Sequence, residues 1–120
     1  MKKFFIHLKV NSIDKAITFY CDEIKLFEFY QDFGMEEVAL VCKNNKTIIL
    51  LLSKGNGHVD WPVFSIEVEN CEHIFKKMKD QVFETGAKLL NKEVFDYPLG
   101  KNITLKDPSG NTIIIFEEYK

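Results

Sequence analysis

The sequence predicts an α+β domain built from two βαβββ modules whose strands form a curved mixed sheet around a cleft. Three observations lead there. The order strand, helix, three strands occurs twice along the 120 residues. Val10-Asn11 and Val68-Glu69-Asn70 correspond at an offset of 58 residues, each closing a strand and opening a helix. A lone four-stranded module leaves one sheet face uncovered and needs a second to bury it. The chain therefore reads as one domain, residues 1–120, with module one at about 1–56 and module two at about 57–120.

Each element has a local reason. Residues 4–10, Phe-Phe-Ile-His-Leu-Lys-Val, alternate as a strand, with Phe5, His7 and Lys9 on one face and Phe4, Ile6, Leu8 and Val10 on the other. Asn11 and Ser12 cap a helix in which Ile13, Ala16, Ile17 and Tyr20 recur at helical spacing, to about Asp22. Leu26 to Tyr30, Glu37 to Cys42 and Thr47 to Ser53 read as strands, separated by turns at Asp32-Phe33-Gly34 and Lys43-Asn44-Asn45-Lys46. Lys54-Gly55-Asn56-Gly57 connects the halves. Val63 to Val68 alternates again, Asn70 caps a helix carrying Ile74, Phe75, Met78 and Val82, and Gly86 is the expected stop. Lys88 to Glu93 is a weak strand, Ile103 to Lys106 another, and Asp107-Pro108-Ser109-Gly110 a turn before Thr112 to Glu117.

Composition narrows the function classes. With 46% hydrophobic and 28% charged residues and a net charge of −2, the chain has an ordinary globular balance and needs no structural cofactor to fold. All 16 basic residues are lysine, so two-pronged recognition of phosphate or a guanine edge is missing, which argues against nucleic acid. Cys21, Cys42 and Cys71 are odd in number and lack a Cys-x-x-Cys pair, as in a reducing cytosol. Lys9, Asn11 and Asp14 interrupt the N-terminal apolar run before signal length, and the longest apolar stretch, Ile48 to Leu52, is far below the ~20 residues of a membrane span. A cytoplasmic protein without membrane contact is expected.

If the helix-covered faces carry Val10 and Val68, alternation assigns Phe5, His7 and Lys9, with Val63, Ser65 and Glu67 from the repeat, to the cleft. His7 is either a ligand contact or general base, or a partly buried histidine satisfied by Glu67 or a carbonyl. Lys9 is either an anion contact or a solvated strand-end lysine, and Ser65 a hydrogen-bond donor or filler. Trp61 and Tyr97, flanked by the loop aromatics Phe33 and Phe95, are platforms for a planar ligand. His58 and His73 read as surface residues. No Cys/His spacing makes a zinc site, and Gly55-Asn56-Gly57 is no phosphate loop.

Val10-Asn11-Ser12-Ile13-Asp14-Lys15-Ala16-Ile17-Thr18-Phe19-Tyr20, with Pro98-Leu99-Gly100 and Asp107-Pro108-Ser109-Gly110-Asn111 before the last strand, resembles the vicinal oxygen chelate superfamily. That group includes glyoxalase I, extradiol dioxygenases, fosfomycin-resistance enzymes and bleomycin-resistance proteins. The resemblance spans essentially the whole chain. It implies one His or Glu metal ligand from each of four strands, and the matching positions here are Phe5, Val63, Ile114 and, near the fourth, Leu50. All four are apolar and supply no donor, so the resemblance argues for the fold while these residues argue against a metal and its Lewis-acid chemistry. Phe5 and Ile114 then line the cleft floor.

The leading expectation is a metal-independent small-molecule binding protein, without cofactor, that sequesters or carries an apolar or aromatic compound, with Lys9 available to an anionic one. An enzyme of lyase, isomerase or dioxygenase-like type using His7 and Glu67, with a displaced metal, is the alternative, and a protein-docking module the third reading. The resemblance also implies a homodimer; the sequence does not choose between clefts formed within a chain and clefts formed by modules swapped between chains.

Overall fold

In the computed structural model, which describes residues 2–96 and 98–119, the first module follows the pattern closely. Strand β1 (Phe4–Val10) leads into a short helix α1 (Ile13–Ile17) that continues as a π-helical turn over Thr18–Glu23. Strands β2 (Phe27–Gly34), β3 (Glu37–Cys42) and β4 (Asn45–Lys54) follow. The Ser12 side chain caps α1 by accepting from the Lys15 amide. The sheet order is β1-β4-β3-β2, with β1 parallel to β4 and the other pairs antiparallel.

Two expected turns sit elsewhere. Strand β2 runs through Asp32-Phe33-Gly34, and the chain reverses at Met35-Glu36, whose φ values of 54° and 60° give the twist a two-residue hairpin requires. The second hairpin turns on Lys43-Asn44 alone, with Asn45 and Lys46 already in β4.

The second module repeats the plan with β5 (Pro62–Glu67), helix α2 (Cys71–Lys79), β6 (Lys88–Leu89), β7 (Phe95–Asp96), β8 (Gly100–Lys106) and β9 (Thr112–Glu118). Its order is β5-β9-β8-β6, with β7 also on β8 and β5 parallel to β9. Asn70 caps α2 through the His73 amide, as expected. The helix stops at Lys79, so Val82 lies beyond it and is exposed, and Gly86, at φ +91°, belongs to the following loop. The weak strand is two short pieces of one edge. At its interruption the Asn91 carboxamide oxygen accepts from the Thr104 amide and takes the place of a backbone partner. No described helix is long and apolar enough to cross a membrane.

The helix-side faces of the two sheets share one core. Leu8, Leu40, Leu50 and Leu52 from the first module and Ile103, Leu105, Ile113 and Ile115 from the second belong to a single buried cluster with Phe19, Tyr20 and Phe75. Phe64 of β5 touches the rings of both Tyr20 and Phe27, at centroid distances of 6.3 and 6.2 Å. The opposite faces of both sheets therefore lie outside this common core.

A polar clamp joins the halves, and it is made of the most recognisable sequence motifs. The Tyr20 hydroxyl donates to Asp107 Oδ2 at 2.8 Å, the Asn11 amide to Ser109 Oγ at 2.7 Å, and Asn111 Nδ2 to the Lys9 carbonyl at 2.8 Å. The turn needs Gly110, which takes φ +90° beside His58. Burial, and then the Asp107 carboxylate, push the Tyr20 phenol well above its ordinary value. Burial likewise raises the thiols of Cys21 and Cys71 to about 11, with Asp22 and Glu117 adding to the respective shifts.

These three shifts have one sign. Below pH 9 the thiols are neutral folded or unfolded, and their contribution is intact; between 9 and 11 the unfolded chain releases protons that the folded chain retains, and stability falls. The expected result is a urea midpoint that drops steadily as pH is raised from 8.5 to 11, with a shallower drop in Cys71→Ala. A midpoint that stays flat over that window would contradict the assignment.

Candidate functional site

The alternation of β9 builds the site. Ile113 and Ile115 are buried in the core, which turns Ile114 and Phe116 to the opposite face. Register places Ser65 of β5 beside Ile114, and Asn102 of β8 beside Phe116. The loop before β8 brings Pro98, Leu99 and Gly100 to the rim, and together these residues line a cavity of about 600 Å³. Its walls are apolar. Ser65 and Asn102 supply the polar side chains, and the Lys101 ammonium sits 3.6 Å from Glu72 Oε1, on the helix side of the sheet.

Of the residues expected in the cleft, the cavity unites Ser65 and Ile114. Phe5, His7 and Lys9 do share one face, but it belongs to the first sheet, in register with Ile49, Leu51 and Ser53. Leu50 is a correction. It pairs with Ile6 and Leu40, is fully buried in the common core, and lies on the opposite face from Phe5, which leaves Ile49 as the neighbour of Phe5. Val63, at the bulge between Pro62 and Phe64, packs against the core instead of lining the cavity. Glu67 is exposed on the cavity-side face of β5, in register with Phe116, and Trp61 is 73% exposed just before that strand. Tyr97 lies outside the described residues.

His7 and Glu67 are on different sheets, and no hydrogen bond or ion pair joins them, so the catalytic pair anticipated from alternation is not assembled within the chain. Sequence reasoning missed Phe116 and Asn102 as site residues. Phe116 was legible, standing two residues from Ile114 on the same strand; Asn102 was hidden because β8 starts earlier than expected, at Gly100.

The positions that would carry a metal do not fit one. Phe5, Val63 and Ile114 offer no nitrogen or oxygen donor, and among the described residues no group of three or more His, Cys, Asp or Glu side chains converges.

No family model matches the sequence, and no curated protein does. Three-dimensional comparison is decisive instead: the chain superimposes on a member of the glyoxalase/bleomycin resistance protein/dioxygenase superfamily from Sphaerobacter thermophilus with a TM-score of 0.74, over 97% of this chain and 96% of that one. The chain has the glyoxalase/bleomycin-resistance fold. The identity to that protein is 19%. TnmS3, an antibiotic binding protein from Streptomyces sp. CB03234, matches with a TM-score of 0.72 and 17% identity over 96% and 93% of the two chains. A bleomycin-binding protein from Streptomyces verticillus, in complex with copper(II)-bleomycin, matches with 0.68 and 18% identity over 98% and 96%. These neighbours carry the architecture that the motifs around Asn11 and Asp107 implied, and in this example of the glyoxalase/bleomycin-resistance fold those motifs serve as the clamp between modules.

Proposed function

We propose that this protein is a metal-independent binder of a small apolar or aromatic molecule, held on the β8–β9 face and sequestered or carried there. The cavity walled by Pro98, Leu99, Ile114 and Phe116 carries the reading: its volume of about 600 Å³ suits one compact ligand, and apolar walls with few polar side chains are what such ligands require. The antibiotic-binding and bleomycin-binding neighbours support it, since their chains share this architecture. Three free thiols suit a reducing, cytoplasmic setting.

The working unit in this proposal is a homodimer with swapped pairing. In one chain the Phe5, His7 and Lys9 face and the Ser65, Ile114 and Phe116 face both lie outside the common core, and Phe5 is 43% exposed. A second copy laid two-fold against the first sets one face over the other, closes the cleft and places Lys9 at its mouth.

Calorimetric titration with metal-free bleomycin and with 8-anilinonaphthalene-1-sulfonate tests binding. Saturable binding of at least one, unchanged by EDTA and weakened tenfold or more by Ile114→Glu, is expected. Binding of neither, indifference to Ile114→Glu, or one tight site for Zn²⁺, Ni²⁺, Co²⁺ or Fe²⁺ in the cleft overturns it. Sedimentation velocity showing only monomer at micromolar concentration overturns the dimer.

A further inference from the structure

We infer that Asn102 is the specificity-determining contact of this cavity and selects an uncharged planar ligand with an amide-like edge, one that offers a hydrogen-bond acceptor beside a donor. The inference rests on the binding role proposed for the cavity and adds the chemical class of its ligand.

Asn102 is 5% exposed and lines the cavity, yet its carboxamide makes no hydrogen bond to any described residue. Its amide atoms are not among the sealed, unpartnered polar atoms of the described residues, so the carboxamide keeps a donor and an acceptor open to the cavity. The strand explains why the group faces the cavity. Ile103 and Leu105 take the core side of β8, so Asn102 takes the other, in register with Phe116 on one side and Phe95 on the other. A carboxamide beside Phe116, the aromatic residue of the cavity wall, can grip the edge of a planar molecule whose face that ring covers. A primary or cyclic amide fits its two atoms at once, since Oδ1 accepts from the ligand's N–H while Nδ2 donates to its carbonyl.

Charge points the same way. Lys101 is the cationic residue among the cavity's lining, and its ammonium is engaged by Glu72 on the far side of the sheet. Across β9 from Asn102, on the far side of Phe116, stands the carboxyl side chain of Glu67, and Ser65, beside Ile114, is neutral. A carboxylate entering this cavity loses its hydration and meets no opposing cation, whereas a neutral amide loses less and is met by a matching amide. Lys9, the anion contact expected from sequence, lies on the first sheet and reaches a ligand only from the mouth of a two-chain cleft.

Three probes of one shape separate the possibilities: 2-naphthamide, 2-naphthoate and naphthalene, titrated into the intact protein by ligand-observed NMR, with the side-chain amide resonances followed in ¹⁵N-labelled protein. Wild type is expected to bind 2-naphthamide about tenfold more tightly than either other probe, with a shift of the Asn102 side-chain amide signal. Asn102→Leu is expected to lose the preference for 2-naphthamide over naphthalene. Because the wild-type ranking alone is diagnostic, the test survives a variant that folds poorly. Equal affinity for naphthalene and 2-naphthamide, or tighter binding of 2-naphthoate, overturns the role of Asn102 while leaving the cavity as a binding site. Binding of none of the three overturns both.

Discussion

Asp107→Ala is expected to cost about 4 kcal/mol of folding stability, the largest loss from any single polar substitution in the chain. Asp107 is 2% exposed and accepts four hydrogen bonds. Oδ1 takes the backbone amides of Ser109 and Asn111, each at 2.9 Å, and Oδ2 takes the Tyr20 hydroxyl at 2.8 Å and Asn111 Nδ2 at 3.1 Å. Alanine leaves these donors buried with their partner gone, and a buried donor without an acceptor costs more than an intact hydrogen bond contributes. The damage also spreads. The turn that Asp107 organises presents Ser109 to Asn11 and Asn111 to Lys9, so its loss releases the clamp between the modules as well.

Tyr20→Phe removes one donor and leaves the turn's own bonds, for a cost of about 1–2 kcal/mol. In the Asp107→Ala background that same change should cost almost nothing, since the partner is already absent. Urea unfolding of the two single variants and the double variant measures all three values. An Asp107→Ala protein within 1 kcal/mol of wild type would show that the clamp is not what joins the halves.

The clamp also explains what could be read from the sequence. Strand β1 and the caps Ser12 and Asn70 obey local rules, and their positions follow from alternation and capping alone. The repeat was legible because each half carries the same local order. The placement of one half against the other was not, since it rests on Phe64 meeting Tyr20 and Phe27 across a sequence separation that no periodicity records. Leu50 shows how little error is needed. The parallel register of β1 and β4 pairs Phe5 with Ile49, and a difference of one residue moves a side chain from the outer face to the core. The site was half visible for a similar reason: Ile114 and Ser65 lie on strands with clear alternation, while Asn102 belongs to a strand whose first residues look like loop because Gly100 opens it.

That glycine is the second position where a single change should have a large effect. Gly100→Ala is expected to destabilise the protein by about 2–3 kcal/mol and to abolish binding in the cavity. Gly100 is not among the residues with positive φ, so its backbone conformation is open to alanine; space is what forbids the substitution. A Cβ built there would stand 2.2 Å from the Glu117 carbonyl oxygen and 3.1 Å from the Glu118 Cα, both backbone atoms of β9 that no side-chain rotation can move. Something in the β8–β9 ladder must give way. The first pair of that ladder is Gly100 with Glu118, and just beyond it the Tyr119 amide donates to the Leu99 carbonyl at 3.0 Å. Those contacts hold Pro98 and Leu99 at the rim. If β8 peels from β9 at this end, the rim moves away from Ile114 and Phe116, and Asn102, two residues on, loses its alignment with Phe116. Stability should therefore fall with the core intact, and binding should fall further than stability alone requires. Hydrogen exchange separates the two effects: the amides of Lys101 and Asn102 should exchange faster in the variant, while those of Ile103 and Leu105 remain protected. Uniformly accelerated exchange would mean that the substitution loosens the whole sheet, and unchanged affinity for 2-naphthamide would mean that the rim does not shape the site.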